Sequence, residues 1–251
     1  MKKDDIILLR TVHRNKHREF ITRVSDEALH TDLGIIDMNQ LYDKDIGDTV
    51  QSHNGHTFKI NSPRTPDFFK HAKRTGAPMM PKDIGLIIAY TGLNKNDTVL
   101  DSGTGSGILS IYLGSIAKKV ISYEIKEEFV AVARKNIVNA GLENTVEVRC
   151  GDIVEAIRDI TDTFDVITLD SLNTMHVIPH TSQVLRDGGY IATYSPFIEQ
   201  TKEIRSSLTL AGFEDVNTIE CMERSISFSE RGTRPSTSRV GHTGFITIAR
   251  K

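Results

Sequence analysis

The stretch from Val99 to Gly107 reads Val-Leu-Asp-Ser-Gly-Thr-Gly-Ser-Gly and is the strongest indicator of fold class in the chain. A short apolar segment ends in a carboxylate, and three glycines follow at alternate positions. This pattern predicts a strand, a tight turn and a helix whose first N–H groups a ligand can approach closely. A dinucleotide fingerprint needs glycine at position 108, where this chain has isoleucine. Because Asp101 would repel a pyrophosphate, the turn favours a ligand that carries an ammonium and a sulfonium group.

Strand and helix patterns alternate on both sides of this turn. The sequence predicts strands at 98–101, 120–124, 146–149, 164–169 and 190–194, with helices at 107–116 and 127–140. Such alternation predicts an α/β fold with a mostly parallel, doubly wound sheet. Two final strands, near 215–220 and 242–249, are joined by about twenty mostly polar residues without a helical pattern. They predict an antiparallel C-terminal hairpin at one edge of the sheet.

The first 62 residues have a different pattern, in which short apolar runs alternate with turn-forming residues. Ile6–Leu9 and Thr57–Ile60 are predicted strands, and Asn54-Gly55 is a strong hairpin signal. We therefore predict a small β-rich N-terminal domain over residues 1–62 and an α/β domain over residues 63–251. Near the start of the second domain, prolines at 66 and 81 each open a predicted helix.

Composition and charge limit the possible partners. The 251 residues have a formal net charge of -2, so nucleic acid would have to bind through local basic patches. The two cysteines, Cys150 and Cys221, lack the spacing of a zinc site and predict a reducing compartment. No metal is therefore expected. The apolar runs are too short for a membrane span, so we expect a cytoplasmic protein without a membrane partner.

Four carboxylates stand at the ends of successive predicted strands: Asp101, Glu124, Asp152 and Asp170. In doubly wound sheets, ligands bind at the carboxyl ends of the strands. Glu124 is placed to accept both hydroxyls of a ribose, and Asp152 to accept an adenine amino group. Asp170 is directed toward the place where the reacting group would lie. The alternatives are a helix N-cap for Asp152 and a turn carboxylate for Asp170.

Several longer motifs carry a resemblance to a known family. They are Pro81-Lys82-Asp83, Tyr194-Ser195-Pro196-Phe197-Ile198-Glu199-Gln200, Gly212-Phe213-Glu214-Asp215, Arg234-Pro235 and Val240-Gly241-His242-Thr243-Gly244-Phe245. With them the chain resembles the class I methyltransferases. It is most similar to the tRNA adenine-N1 methyltransferases that act on adenosine 58 of the T-loop, in their archaeal and bacterial single-subunit form. The resemblance implies a Rossmann-like methyltransferase domain, tRNA as the partner and a homotetramer.

The same resemblance implies roles for individual residues. S-adenosylmethionine would be the cofactor, and the residues expected to bind it are Asp101, Gly103, Thr104, Gly105, Ser106, Gly107, Glu124, Asp152 and Asp170. Asp170 would also be the catalytic residue at the methyl-transfer centre. Three positions differ from the family pattern: Met80 replaces an aromatic residue, Thr174-Met175 replaces Pro-Trp, and tryptophan is missing around 224–226. These differences concern the stacking of the target base.

RNA would be bound by residues in two places. A basic cluster contains Arg64, Lys70, His71, Lys73 and Arg74, and the C-terminal part adds Arg231, Arg234 and His242. The alternative for the first cluster is a solvated helix face. Two other functions stay open at this point: a protein methyltransferase of the isoaspartate-repair type, which shares the fold, and a non-catalytic RNA-binding subunit of a methyltransferase.

Overall fold

The computed structural model describes residues 1–237 and 241–251, so Val240 of the closing motif lies outside the described residues. The chain forms two compact units. The first comprises Met1–Ala72 with Lys135–Leu142, and the second comprises Lys73–Arg134 with Glu143–Lys251. The first unit thus extends ten residues beyond the boundary predicted at residue 62. The reason lies in the segment after that boundary, where Lys70 and His71 bind Glu19 of the N-terminal sheet.

The first unit is β-rich, as predicted. Its elements are β1 Ile6–His13, β2 Lys16–Arg23, β3 Leu29–Thr31, β4 Gly34–Ile36, a 3-10 helix at Met38–Leu41, β5 Thr49–Gln51, β6 Thr57–Asn61 and α1 Thr65–His71. Four of the strands form an antiparallel sheet in the order β2-β1-β6-β5, and β3 pairs with β4. The predicted hairpin at Asn54-Gly55 is confirmed, since these residues lie between the paired strands β5 and β6. Alternate side chains of β1 and β6, including Leu9 and Phe58, fill the core.

The second unit holds the larger sheet. Its helices are α2 Pro81–Thr91, α3 Ile108–Gly114, α4 Glu127–Asn139, α5 Ile153–Ala156, α6 Thr174–Val184 and α7 Ile198–Leu210. Its strands are β7 Thr98–Ser102, β8 Lys119–Glu124, β9 Val146–Cys150, β10 Phe164–Leu169, β11 Leu185–Ser195, β12 Glu214–Glu220, β13 Ile226–Ser229, β14 Gly232–Pro235 and β15 Phe245–Arg250. The residues of α4 from Lys135 onward belong to the first unit.

Seven strands form the central sheet in the order β12-β15-β11-β10-β7-β8-β9. The neighbours from β11 to β9 are parallel, whereas β15 runs antiparallel to both β11 and β12. This confirms the Rossmann-like, mostly parallel sheet with an antiparallel C-terminal hairpin at its edge. The central strands are apolar and covered on both faces, which is typical of parallel sheets, and Val99, Leu100 and Ile167 are fully buried.

One element was missed by the sequence analysis. The polar link between β12 and β15 contains a second antiparallel hairpin, in which β13 pairs with β14. All eight residues of these two strands are exposed. The first strand alternates apolar and polar residues over only four positions, Ile226 to Ser229, and the second, Gly232–Pro235, has no such alternation. Within the described parts of the chain, no helix has the length and apolar character needed to span a bilayer.

Candidate active site

The glycine turn joins β7 to α3 and lies against the end of β10. Gly103 has a φ of +89°, and its N–H donates to the Tyr123 carbonyl at 3.0 Å. A Cβ at this position would lie 1.8 Å from the carbonyl oxygen of Asp170. Only glycine fits there, because the strand end that carries Asp170 passes directly over the turn. The glycine at position 103 is therefore explained by the close approach of the ends of β7 and β10.

A cavity of about 180 Å³ opens beside this turn. It is lined by Thr75, Gly76, Ala77, Pro78, Met79, Gly103, Thr104, Gly105, Ser106, Ile108, Leu109, Phe129 and Asp170. The 75–79 segment is attached to the turn by hydrogen bonds, because the Thr75 N–H donates to Ser106 Oγ at 2.9 Å. The cavity thus brings together four of the predicted turn residues with Asp170. Gly107, the fifth, is the N-cap of α3.

Glu124 ends β8 next to the turn and is 8 % exposed. Its Oε2 accepts from the Gly105 N–H at 2.8 Å, and its Oε1 accepts from the Lys126 N–H at 3.0 Å. Two backbone donors therefore fix the carboxylate in place. Each carboxylate oxygen has two lone pairs, so Glu124 can still accept from the two hydroxyls of a ribose.

Asp101 has different partners from those we expected. It is 1 % exposed, and its two oxygens accept from the hydroxyls of Ser110, Ser122 and Thr168 at 2.5–2.8 Å. Burial raises the pKa of the carboxyl, and the three hydroxyl donors oppose that shift. In the structure Asp101 ties α3, β8 and β10 together beneath the turn, and its contacts are with protein hydroxyls. A direct contact with the cofactor stays a prediction.

Asp152 is a helix N-cap, the alternative role that the sequence left open for it. It is the N-cap of α5, and its Oδ1 accepts from the Val154 N–H at 2.9 Å. The cap holds the carboxylate just after β9, beside Glu124 on the neighbouring strand, since Gly151 N–H donates to the Glu124 carbonyl at 2.9 Å. Its predicted contact with adenine is compatible with capping, because a carboxylate accepts through either oxygen.

Asp170 follows β10 and is partly buried in the cavity wall. Its backbone N–H donates to the Ser102 carbonyl at 2.8 Å, which fixes the position of the residue. Burial raises the pKa of its carboxyl to about 7, and the negative charges of Asp101 and Glu124 add to that shift. None of the described residues that line the cavity is cationic. The cavity therefore favours a ligand that brings a positive charge.

Two motifs that lie far apart in the sequence meet in the structure. Lys82 Nζ donates to Asp83 Oδ1 at 2.7 Å, to Thr243 Oγ1 at 2.7 Å and to the Cys221 carbonyl at 2.6 Å. Thr243 in turn donates to Asp83 Oδ2 at 2.8 Å. Asp83 is fully buried, so this ion pair replaces its lost hydration. Sequence reasoning quoted both motifs but assigned neither a partner.

The expected RNA-binding residues are distributed over both units. In the first unit, Lys70 and His71 at the end of α1 both bind Glu19, and Arg64 precedes the helix. In the second, His242 contacts Glu220 Oε1 through Nδ1 at 2.6 Å and the Pro196 carbonyl through Nε2 at 2.8 Å. These two acceptors raise the pKa of the His242 imidazole.

The remaining basic candidates and the positions that depart from the family pattern lie as follows. Arg231 and Arg234 are exposed on the β13–β14 hairpin, and Lys73 and Arg74 begin the second unit. Met80 is the N-cap of α2, and the Thr174 hydroxyl donates to the Ser171 carbonyl at 2.7 Å. The structure thus gives Thr174 a local role in the turn that follows Asp170.

Comparison with known families identifies the chain. Residues 65–233 match the family model described as the tRNA methyltransferase complex GCD14 subunit. The chain belongs to this family. A curated relative from Methanocaldococcus jannaschii, the tRNA (adenine(57)-N(1)/adenine(58)-N(1))-methyltransferase TrmI, is 38 % identical over 93 % of this chain and 91 % of its own length. A Thermus thermophilus relative, the tRNA (adenine(58)-N(1))-methyltransferase TrmI, is 25 % identical over 89 % of each chain.

Solved structures place the GCD14-family chain among the class I methyltransferases. A SAM-dependent O-methyltransferase from Thermotoga maritima superposes with a TM-score of 0.80 and 29 % identity, covering 100 % of this chain and 94 % of that one. The tRNA (m1A58) methyltransferase TrmI from Aquifex aeolicus superposes with a TM-score of 0.74 over 100 % and 98 % of the two chains, at 22 % identity, and supports the fold alone.

Proposed function

We propose that this chain transfers a methyl group from S-adenosylmethionine to N1 of adenosine 58 in the T-loop of tRNA, and that adenosine 57 is a further target. The observation that carries the proposal is the position of Asp170, a partly buried carboxyl at a strand end that lines the cavity. It packs against the glycine turn so closely that residue 103 has no room for a side chain. The M. jannaschii relative is named for activity at both adenosines.

The residues at the turn fit S-adenosylmethionine. Gly103 to Ser106 line the cavity, and Glu124 offers two acceptors for the ribose hydroxyls. Asp152, after the next strand, is available for the adenine. The absence of cations among the described lining residues suits a ligand with a positive sulfonium and a positive amino group. When bound, S-adenosylmethionine would supply an electrophilic methyl group.

Asp170 acts on the acceptor base. N1 of adenine carries a lone pair and no proton, so it needs to be positioned rather than deprotonated. S-adenosylmethionine would supply the methyl group and leave as the neutral thioether, so the positive charge would pass to the base. The Asp170 carboxylate accepts a hydrogen bond from N6–H, which orients the base and stabilises the developing charge. The product base becomes neutral when N6 loses a proton.

We propose that phosphate contacts hold the tRNA, with contributions from Arg64, Lys70, Lys73, Arg74, Arg234 and His242. Extraction of the base from the folded T-loop costs a few kcal/mol, and these contacts offset that cost. We also propose that the protein forms a homotetramer, which the resemblance implies, and that it is cytoplasmic.

Nucleoside analysis tests the proposed function. Unmodified tRNA incubated with the protein and S-adenosylmethionine is digested, and the nucleosides are measured by mass spectrometry. We expect 1-methyladenosine at position 58, and its loss in a transcript with guanosine at that position. A transcript with guanosine at 57 alone separates the two target sites. Absence of 1-methyladenosine in all transcripts would contradict the proposal.

A further inference from the structure

The hairpin of β1 and β2 extends beyond the rest of the N-terminal sheet. β1 pairs with β2 along all eight of its residues, up to the pair of His13 with Lys16, but it pairs with β6 only from Leu8 to Arg10. In the described part of the chain, no further strand pairs with the end of the hairpin, residues 11–18. These residues therefore form a two-stranded arm, whose paired part is about 10 Å long.

The charged groups of this arm are all basic. Residues 11–18 read Thr-Val-His-Arg-Asn-Lys-His-Arg, with three Lys or Arg side chains, two histidines and no carboxylate. Every residue from Arg14 to Arg18 is exposed. Lys59 on β6 is exposed as well and lies directly across from Arg10 at the base of the arm. A chain with a net charge of -2 thus has a positive surface at this hairpin, which the proposed function does not use.

The cations at the tip of the arm differ from the one at its base. Arg18, at the base, forms an ion pair with Asp32 at 2.7 Å. Among the described residues, no carboxylate forms an ion pair with Arg14 or Lys16, which lie at the tip. A cation without an ion pair can bind an anion without first losing a protein contact. The tip is therefore the part of the arm that is most available to an anionic partner.

The backbone at the tip does not favour an arginine. Arg14 and Asn15 form the two-residue turn, with φ values of +49° and +59°. Hairpin turns of this left-handed kind favour Asn, Asp or Gly, and a longer side chain costs stability there. Asparagine or glycine at position 14 would therefore give a more stable turn. Folding stability does not explain the arginine, whereas a contact made by its guanidinium group does.

Protection of the sheet edge does not explain the charges either. β2 is an edge strand, and charged side chains on such a strand prevent it from pairing with other chains. Charges of either sign serve that purpose, and opposite charges across the hairpin would also attract each other. The arm has cations alone, which repel one another. This arrangement is typical of a surface that binds a polyanion.

We infer that the arm of residues 11–18 is a binding site for the phosphate backbone of tRNA, in which Arg14 and Lys16 each contact a phosphate. This inference rests on the proposed function, which assigns only Arg64 and Lys70 of the first unit to RNA binding. Phosphates recur along an RNA strand, so neighbouring cations on one hairpin can bind consecutive phosphates. Such contacts fix the position of the RNA and do not depend on its base sequence.

Substitutions at the tip test the inference, because they separate binding from stability. Arg14→Asn removes the charge and introduces a residue that the left-handed turn favours, so Tm should be unchanged or higher. The slope of log K against log salt for tRNA should nevertheless fall by about one, and by about two when Lys16→Gln is added. The double variant should raise KM for tRNA by about 10-fold and leave kcat unchanged, because phosphate contacts do not change during methyl transfer.

Two further variants serve as controls. Arg14→Lys keeps the charge and should keep the salt slope of the parent. Lys3→Gln removes an exposed cation of the same unit outside the arm, where it pairs with Asp26, and should leave both the slope and KM unchanged. Vesicles that contain phosphatidylserine are titrated in the same salt series. We expect the double variant and the parent to differ in their binding of tRNA.

A double variant with the Tm and the tRNA salt slope of the parent would overturn the inference. Loss of vesicle binding with unchanged tRNA binding would also overturn it, and would assign the arm to an anionic membrane surface. Failure of the proposed function differs from both, because the parent protein itself would then form no 1-methyladenosine. The binding series needs no S-adenosylmethionine, so each failure is observed independently of the other.

Discussion

At the scale of single residues, the three carboxylates of the site differ in their hydrogen-bond partners. Asp101 is surrounded by three hydroxyl donors, and Glu124 is held by two backbone N–H groups. The Asp170 carboxyl lies in the cavity wall, where burial and the negative charges of Asp101 and Glu124 raise its pKa to about 7. Ionisation of the Asp170 carboxyl is therefore unfavourable without a positive charge nearby. A positively charged ligand would favour the ionised form and lower the pKa of Asp170, and the carboxylate would in turn strengthen the binding of that ligand.

Asp170→Asn should lower kcat by about 10²- to 10³-fold, because the amide is a weaker acceptor for N6–H. The variant should also be more stable at pH 8 by a few degrees in Tm. The folded-state pKa lies above the unfolded one, so the native protein loses stability as the pH rises from about 4 to about 7. At pH 5 the difference in Tm should be much smaller. Thermal melts at both pH values check this.

The control for this variant is Asp187→Asn, whose carboxylate is 95 % exposed and ion-paired with Lys251. It should leave both kcat and the pH dependence of Tm close to those of the parent. Equal Tm shifts at pH 5 and pH 8 in Asp170→Asn would contradict the raised pKa.

Two glycines of the turn form a matched pair. Gly103→Ala places a methyl group 1.8 Å from the Asp170 carbonyl, so β10 must move, and we expect loss of S-adenosylmethionine binding. Gly105→Ala meets nothing closer than 3.8 Å and carries only the cost of its φ of +53°, about 1–2 kcal/mol. Denaturant unfolding and cofactor titration measure both effects. A smaller loss of stability for Gly103→Ala than for Gly105→Ala would show that this account of the turn is wrong.

At the scale of elements, α1 is fastened to β2 through one carboxylate. Glu19 has a side chain that is 6 % exposed, and it binds Arg10, Lys70 and His71. The hydrogen bond from Lys70 is the largest cause that lowers the pKa of Glu19 to about 2, with His71 and Arg10 adding to it. Lys70 is also one of the cations proposed to bind RNA. Its ion pair with Glu19 therefore competes with its contact to a phosphate.

Glu19→Gln should therefore destabilise the protein and strengthen its binding of RNA. The stability from this carboxylate is present above its unfolded pKa of about 4.5 and is lost as the pH falls toward 2. Allowing for the solvent exposure of Lys70 and Arg10, we expect a loss of about 1–2 kcal/mol at pH 7. Denaturant unfolding at pH 7 and pH 3 measures it, and filter binding should show higher tRNA affinity at low salt. Asp32→Asn, which removes an ion pair between exposed side chains, is the control.

At the scale of the whole molecule, charge is nearly balanced. A net charge of -2 gives no general attraction to tRNA, so affinity must come from local cations. The proposed phosphate contacts differ in what already surrounds them, since Lys70 binds Glu19 while Arg234 is exposed on the β13–β14 hairpin. A cation that a protein carboxylate already neutralises contributes less to counterion release when tRNA binds. Its removal should therefore change the salt dependence of binding less.

We expect Arg234→Ala to reduce the slope of log K against log salt by about one. Lys70→Ala should reduce it by less, because Glu19 already neutralises part of its charge. Binding isotherms for tRNA at several salt concentrations measure both slopes. Lys95→Ala, in the turn before β7, should leave the slope unchanged. Identical slopes for Arg234→Ala and the parent would remove Arg234 from the interface.

The positions of the central strands along the chain and the β-rich start of the chain could be predicted from the sequence, because both depend on local periodicity and turn chemistry. The glycine turn and the four strand-end carboxylates were found for the same reason. The β13–β14 hairpin was not found, because each of its strands has only four residues and Gly232–Pro235 has no apolar alternation. The boundary at Ala72 also escaped prediction, because it depends on the ion pairs between α1 and Glu19.

The sequence by itself determined the parallel sheet, the turn at 103–107 and the carboxylates that follow the strands, since a residue's place along a strand decides its edge. Only the tertiary structure decided what those groups contact. It surrounded Asp101 with hydroxyls and joined Lys82 to Thr243 across the chain. It also set Tyr194 beside Asp170. The physical reason is that hydrogen-bond direction and burial depend on neighbours distant in sequence, which periodicity does not encode.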